Sequence, residues 1–448
     1  MSDRTPSWGI EPVPDRLRTL GGADTTMLWG SLGLSLLVLV AGTVLVPALS
    51  LRAALLAILV GGIFGNALLG LAALLGAEAR VPAMVLLRAP LGRAGSWLPT
   101  ALNVLQNLGW TIFEVLVIAA AARALVHGPL WVWKLVAAAA ATALALLGPI
   151  GFVREWVRRF ALWIVLASLG YLTWWALHDA SLHALWSRPG KGGFPSFWEG
   201  VDLMVAMPVS WLPLAADYTR FSRSGRSAFW GTAVGYLVPN MWLYALGAIL
   251  LLTRGLSDAP SVLTAIASGG AAAAVALLAL GVDETKEPFA NVYSAAVSLQ
   301  NVFPRAPQRL LIFVVGGVAT VGTFVIDLQQ YASFLLLLGS FFVPLFGVLL
   351  AQWLAGFRDP FAASEVRAGQ IAAWLAGFCL YQWLSPVGPH WWTAIVDRFH
   401  PGHVSWTASL PSFAAAFGLA LVATWLRARI DSRRAAARRN REPLARPR

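Results

Sequence analysis

Four side chains suited to holding a ligand recur at helical spacing: Asn103, Asn107, Trp110 and Glu114, separated by four, three and four residues. That spacing puts two amides, an indole and a carboxylate on one helical face. An indole stacks on flat rings, and a carboxylate beside it accepts hydrogen bonds from a ring edge. Gln106 lies next to this face. Amides also bridge neighbouring transmembrane helices, and helix bridging is the other reading for Asn103 and Gln106. Glu114 sits among Phe113, Val115 and Leu116, where a carboxylate is a costly bridge.

A second segment runs from Asp202 to Asp217 and contains Pro208, Ser210, Trp211 and Pro213. Each proline removes one backbone hydrogen bond, which frees peptide groups beside Ser210 and Trp211. Gly30, Ser31, Gly33 and Ser35 loosen an earlier segment in the same way. Ordinary kinks would account for either segment alone. Asp217 and Arg220 are expected to cap the end of their helix or to pair at the surface, outside any site.

The third segment reads Asp283-Glu284-Thr285-Lys286-Glu287-Pro288-Phe289-Ala290-Asn291, with charges summing to −2. Lys286 can neutralise only one of the three carboxylates. The others must be protonated, hydrated or paired with a cation. Read as a loop, this stretch separates flanks at 271–282 and 289–303 that are each too short to cross a bilayer. One span with a charged centre fits better, and a pore lining is the other reading.

These segments need elements that cross lipid. Apolar residues make up 58% of the 448, and charged residues 12%, with mean hydropathy +0.69. Soluble domains carry roughly 45–50% and about 25% respectively. The long continuous apolar runs exclude a soluble enzyme, a disordered chain and an alternating β-barrel. The lone Cys379 excludes an internal disulfide and a thiolate cluster. The six histidines, His127, His178, His183, His390, His400 and His403, fall near span ends or in outer loops, which argues against an intramembrane metalloenzyme. No cofactor is expected.

A window of about 20 residues gives twelve expected spans: 25–47, 51–76, 96–126, 130–150, 153–178, 199–217, 227–252, 271–301, 309–326, 328–355, 369–388 and 407–428. The polar first 24 residues, with Pro6, Pro12 and Pro14, do not resemble a cleavable signal peptide. Basic residues sort by side of the membrane. One side collects Arg80, Arg88, Arg93, Arg154, Arg158, Arg159, Arg220, Arg223, Arg226, Arg305, Arg309, Arg358 and Arg367, plus nine arginines from Arg427 to Arg448. The other side holds Arg52, Arg188, Lys191, Arg254 and Arg398. Both termini are therefore expected in the cytoplasm, with the protein multi-pass in the plasma membrane. The net charge of +12 then marks topology and anionic lipid headgroups, with no nucleic-acid partner. Trp131, Trp133, Trp174, Trp175, Trp391 and Trp392 lie near span ends as interfacial anchors. Two Gly/Pro-broken spans five apart point to an inverted-repeat transporter with its site at the broken midpoints.

The segments resemble the nucleobase:cation symporter-1 family, and within it the cytosine permease and hydroxymethylpyrimidine transporter branch. The resemblance rests on Pro14-Asp-Arg-Leu-Arg-Thr-Leu, Arg88-Ala-Pro-Leu-Gly-Arg-Ala-Gly-Ser-Trp-Leu-Pro99, Gly109-Trp110, Trp211, Asp217-Tyr-Thr-Arg-Phe221, Ala290-Asn291, Ser294-Ala-Ala and Phe303-Pro304, in order along the chain. It implies an all-α LeuT-type fold of about twelve helices. The division would be a cytoplasmic segment 1–24, inverted five-helix repeats at 25–178 and 199–355, two further helices at 369–428, and a basic tail at 429–448.

The resemblance also implies that Trp110 and Trp211 sandwich the substrate ring. Glu114 would stand in the place of a substrate-binding amide, Asn291 would bond the ring, and Ser35 and Ser210 would face the same pocket. A sodium site would use the carbonyls near Ser31 and Leu34 with groups near Val282, Thr285 and Lys286. The chain departs from this pattern at Glu114 and at Lys286. The first substitution favours a donor-rich aminopyrimidine, such as cytosine or hydroxymethylpyrimidine, over hydantoin or uracil. Allantoin, hydantoin, uracil or a purine is the alternative. The second leaves either a proton or sodium as coupling ion, with Asp283 and Glu287 as further coupling candidates. The expected unit is a monomer that imports a small nucleobase-like molecule.

Overall fold

In hydrocarbon, every peptide group has to find its partner within its own segment, so apolar runs fold as helices. The computed structural model describes residues 11–147, 162–178, 180–303, 305–356, 359–361, 365–399 and 406–439. Arg154, Arg158, Arg159, Pro304, Arg358, His400, His403 and the tail from 440 lie outside the described residues. The described residues contain no strand beyond an isolated bridge between Leu20 and Ser222.

The first half contains α1 (Gly22–Gly33), α2 (Leu36–Val44), α3 (Leu51–Ala79), the short α4 (Ala83–Leu86) and α5 (Arg88–Leu91), α6 (Trp97–Leu125), α7 (Leu130–Leu147) and α8 (Leu162–His178). The short α9 (Leu182–Ser187) leads to the second half. There follow α10 (Phe197–Val209), α11 (Leu212–Thr219), α12 (Gly225–Thr253), α13 (Ala259–Ser268), α14 (Ala271–Glu284), α15 (Lys286–Val302), α16 (Gln308–Gly322) and α17 (Tyr331–Leu354). The chain closes with α18 (Ala368–Leu384), the short α19 (His390–Val396) and α20 (Ser409–Arg439).

Among the described residues, five helices suffice by length and hydropathy to cross a membrane, or six when the bent pair α1–α2 counts as one. Twelve spans are reached only by including the short and broken helices.

Three helices break near the middle of the molecule, each for its own reason. α1 and α2 meet at 58°, because Leu34 and Ser35 leave the helical region and Ser35 becomes the N-cap, its hydroxyl accepting from Leu37 N. α10 and α11 are separated by Ser210 and Trp211, where Pro213 removes the donor that would meet the Val209 carbonyl. The expected single span 271–301 is likewise split, into α14 and α15, at Thr285. Pro288 lacks the N–H that Glu284 O would accept, so the helix is interrupted there even though Thr285 keeps right-handed helical angles.

Small residues let the broken first span lie close to α12. A Cβ on Gly42 would stand 2.0 Å from Tyr244 O, and one on Gly247 would stand 1.9 Å from Leu39 O. Only glycine permits that approach. Two buried polar anchors join other elements. Asp202 on α10 accepts from the Thr407 hydroxyl, from Ala408 N at 2.8 Å and from Ser409 N at 3.2 Å, so it caps the start of α20. Asp217 accepts from Ala83 N at 2.9 Å. It therefore caps α4, a correction to its expected role at the end of its own helix.

α13 was not among the expected spans. Its ten residues are too few to cross, yet they bury Val262, Leu263 and Ile266 behind an Asp258 capping box.

Candidate functional site

The three breaks converge on one shared cavity. Trp110 and Glu114 reach it from α6, Ser35 from the α1–α2 break, Ser210 and Trp211 from the α10–α11 break, and Glu287 and Asn291 from α15. All six residues expected at a substrate site, Trp110, Glu114, Trp211, Asn291, Ser210 and Ser35, therefore line a shared void.

Asn291 Nδ2 donates to Glu114 Oε1 at 2.9 Å and to Oε2 at 3.1 Å. The clamp fixes the carboxylate's rotamer and ties α15 to α6. Glu114 is 4% exposed. Trp110 is held edge-on by Tyr331 and Phe334, with ring centroids at 6.0 and 5.4 Å. Trp211 is held edge-on by Trp29 at 5.8 Å, and its Nε1 donates to Tyr236 Oη at 2.9 Å. Packing on several sides pre-sets both indoles, so little rotamer entropy is lost on binding.

Several of the expected polar groups are already committed. The Ser35 hydroxyl donates to Glu284 Oε1 at 2.8 Å, and that of Ser210 donates to Met207 O at 2.7 Å. Gln106 Nε2 donates to Asn103 Oδ1 at 2.8 Å and to Ser210 O at 3.1 Å, and Asn103 Nδ2 donates to Ser298 Oγ at 3.2 Å. This pair does bridge helices, holding α6 to the α10–α11 break and to α15.

The charged segment divides into three separate jobs. Lys286 Nζ donates to Asp283 Oδ2 at 2.5 Å, to Ser31 O at 2.8 Å and Oγ at 3.3 Å, and reaches Leu34 O at 3.5 Å. Those oxygens end α1, where a helix presents unsatisfied carbonyls and partial negative charge. Glu284 accepts from Leu36 N at 2.5 Å and Leu37 N at 3.3 Å. These amides open α2, where the dipole favours an anion. One cation and one anion from the eighth span thus complement the two ends exposed by the first span's break. Glu287 instead faces the cavity, one helical turn before Asn291.

Sequence reasoning gave Glu284 no role of its own, and it missed Tyr236, Tyr331 and Met207 in the cavity wall. A carboxylate level with a helix break was the available signal for Glu284. The aromatic residues carried no signal, because rings on apolar helices are ordinary core. Of the expected cation-site residues, Ser31 and Leu34 are bridged by Lys286. Val282 and Thr285 bond to each other, the Thr285 hydroxyl donating to Val282 O at 2.7 Å, and the Val282 side chain faces outward. No group of three or more His, Cys, Asp or Glu suited to a metal ion occurs among the described residues.

A family model described as permease for cytosine/purines, uracil, thiamine, allantoin matches residues 12–368. The cytosine permease of Escherichia coli strain K12 is 24% identical over 398 residues, covering 84% of this chain and 89% of that one. Among solved structures, Mhp1 is a nucleobase-cation-symport-1 family transporter in a closed conformation with bromovinylhydantoin bound. It superposes with TM-score 0.72 at 19% identity, over 95% of this chain and 96% of its own. Its inward-facing conformation gives 0.75 over 95% and 94%. A match over nearly the whole of both chains gives the LeuT-type helical fold expected from the sequence.

Proposed function

Because the chain belongs to the nucleobase:cation symporter-1 family of permeases, which are transporters and not enzymes, we propose that it is a secondary active importer of an aminopyrimidine, of the class of cytosine or hydroxymethylpyrimidine. The observation that carries this reading is the buried Glu114 carboxylate, clamped by Asn291 in a cavity that two preset indoles also line. Stacking on an indole contributes about 1–3 kcal/mol per ring contact and tolerates every flat ring. Selection therefore falls to the ring edge, where a carboxylate offers acceptors alone. An amino-substituted edge supplies the matching donors, and a dioxo edge sets oxygen against oxygen.

Transport follows from alternating access. The unit containing the broken spans α1–α2 and α10–α11 rocks against the unit containing α6 and α14–α15, as a monomer in the plasma membrane with both termini cytoplasmic. Lys286 takes the position of a coupling sodium ion at the end of α1, so a proton rather than sodium accompanies the ring. A second cation beside the Lys286 ammonium meets short-range repulsion.

Uptake of labelled cytosine into proteoliposomes is the experiment. It is expected to saturate, to be competed by aminopyrimidines well before uracil or hydantoin, and to run equally in sodium and in choline buffer. Uptake linear in concentration, or competed first by uracil, contradicts the proposal.

A further inference from the structure

Glu287 is unlike the other acids of its segment. It is 2% exposed and lines the cavity, and its Oε1 has no hydrogen-bond partner. Asp283 has Lys286, and Glu284 has the amides of α2 and Ser35. Glu114 has Asn291. The cavity therefore presents two carboxylates, while no lysine, arginine or histidine appears among its lining residues. Several of its neutral donors are already engaged within the protein. The Asn291 amide, the Trp211 indole N–H and the hydroxyls of Ser35 and Ser210 are all given to protein acceptors.

A buried carboxylate oxygen with no donor in reach is costly to maintain, so a ligand that brings a donor and a positive charge gains more here than a neutral one. Glu287 and Asn291 are four residues apart and share one face of α15. A single ring spanning the cavity can then meet both the Glu114–Asn291 clamp and Glu287.

We infer that Glu287 is a second ligand-binding carboxylate and that the cavity takes its ring as a cation, with N–H donors on two edges, as in a ring-protonated aminopyrimidine. This rests on the proposed aminopyrimidine reading and sharpens it. The charge that crosses with the substrate is carried on the ring, and Glu287 rather than the Asp283–Lys286 pair receives it.

The test is calorimetric binding to the purified full-length protein. Probes are 2,4-diaminopyrimidine, cytosine, uracil, and the pair 4-amino-1-methylpyridinium and 4-methylaniline, which share a shape and differ by a fixed charge. The pyridinium is expected to bind at least about tenfold more tightly than the aniline, and 2,4-diaminopyrimidine more tightly than cytosine. Glu287→Gln keeps the volume and removes the charge. It is expected to abolish the pyridinium preference, weaken 2,4-diaminopyrimidine by about ten- to a hundredfold and leave ligand-free thermal unfolding at or above the parent's. Equal binding of pyridinium and aniline, or a Glu287→Gln profile like the parent's, overturns this inference while cytosine binding upholds the aminopyrimidine reading. If no ring binds the folded parent protein, both fall.

Discussion

Exchange of Glu114 for glutamine is expected to invert the cavity's preference between amino and oxo rings. In the parent, both carboxylate oxygens accept from Asn291 Nδ2, which fixes the group as an acceptor at the ring edge. Glutamine keeps the length and replaces one oxygen with an N–H2 donor. That donor opposes either the Asn291 amide or the substrate's amino group, so one hydrogen bond to a charged partner is lost. Such bonds contribute about 1.5–3 kcal/mol, or about ten- to a hundredfold in affinity for an aminopyrimidine. Uracil and hydantoin, whose carbonyls can accept from the new amide, are expected to gain. Competition against labelled cytosine uptake reads the ranking directly. An unchanged order of cytosine over uracil removes Glu114 as the selector.

Replacing Lys286 with alanine is expected to give the largest stability loss of any single substitution in the charged segment. Its ammonium serves two partly buried partners at once, the Asp283 carboxylate and the carbonyls ending α1. Asp283 and Lys286 expose only 8% and 12% of their side chains, so little solvent is on hand to replace the contact. Removing one member of a buried pair costs about 3–5 kcal/mol, and here the helix terminus is orphaned as well. The vacated position then offers a carboxylate and peptide oxygens, the hard oxygen donors that suit a small cation. Sodium is therefore expected to restore part of the lost thermal stability in Lys286→Ala, with no effect on the parent. Thermal unfolding of both proteins in sodium chloride and in choline chloride checks this. Sodium-dependent uptake by the parent, abolished by Thr285→Ala, contradicts it.

The same contacts suggest how binding couples to movement. Lys286 and Glu284 sit on the eighth span and grip the two ends of the break in the first. Rocking of one unit against the other has to slide or release these contacts. Glu287 and Asn291, which line the cavity, lie on the same eighth span.

What the sequence made legible follows from period and punctuation. The face holding Asn103, Trp110 and Glu114 could be read because α6 is uninterrupted, and 3.6 residues per turn keep those side chains aligned. The breaks near Ser35 and Trp211 were signalled by glycine and proline. The charged segment was legible as a site but not as a division of labour. Within Asp283, Glu284, Lys286 and Glu287, a single residue's rotation of about 100° decides between an ion pair, a helix cap and a cavity wall. That rotation depends on where α14 ends, which only packing against α1 and α2 settles. Asp217 was misassigned for a related reason: its partner, Ala83 N, is 134 residues away, and no local pattern points to it. Tyr236 and Tyr331 stayed invisible because a tyrosine on a buried helix looks the same whether it faces core or cavity.

The account depends most on one flat ring lying against Trp110 and Trp211 in the middle of the bilayer. Calorimetric titration of cytosine into the purified parent, Trp110→Ala and Trp211→Ala tests it most directly. The account predicts one saturable site in the parent and at least about a tenfold loss of affinity in each variant, in line with the stacking energy of a single ring contact. Cytosine binding of parental strength in both folded variants would contradict it.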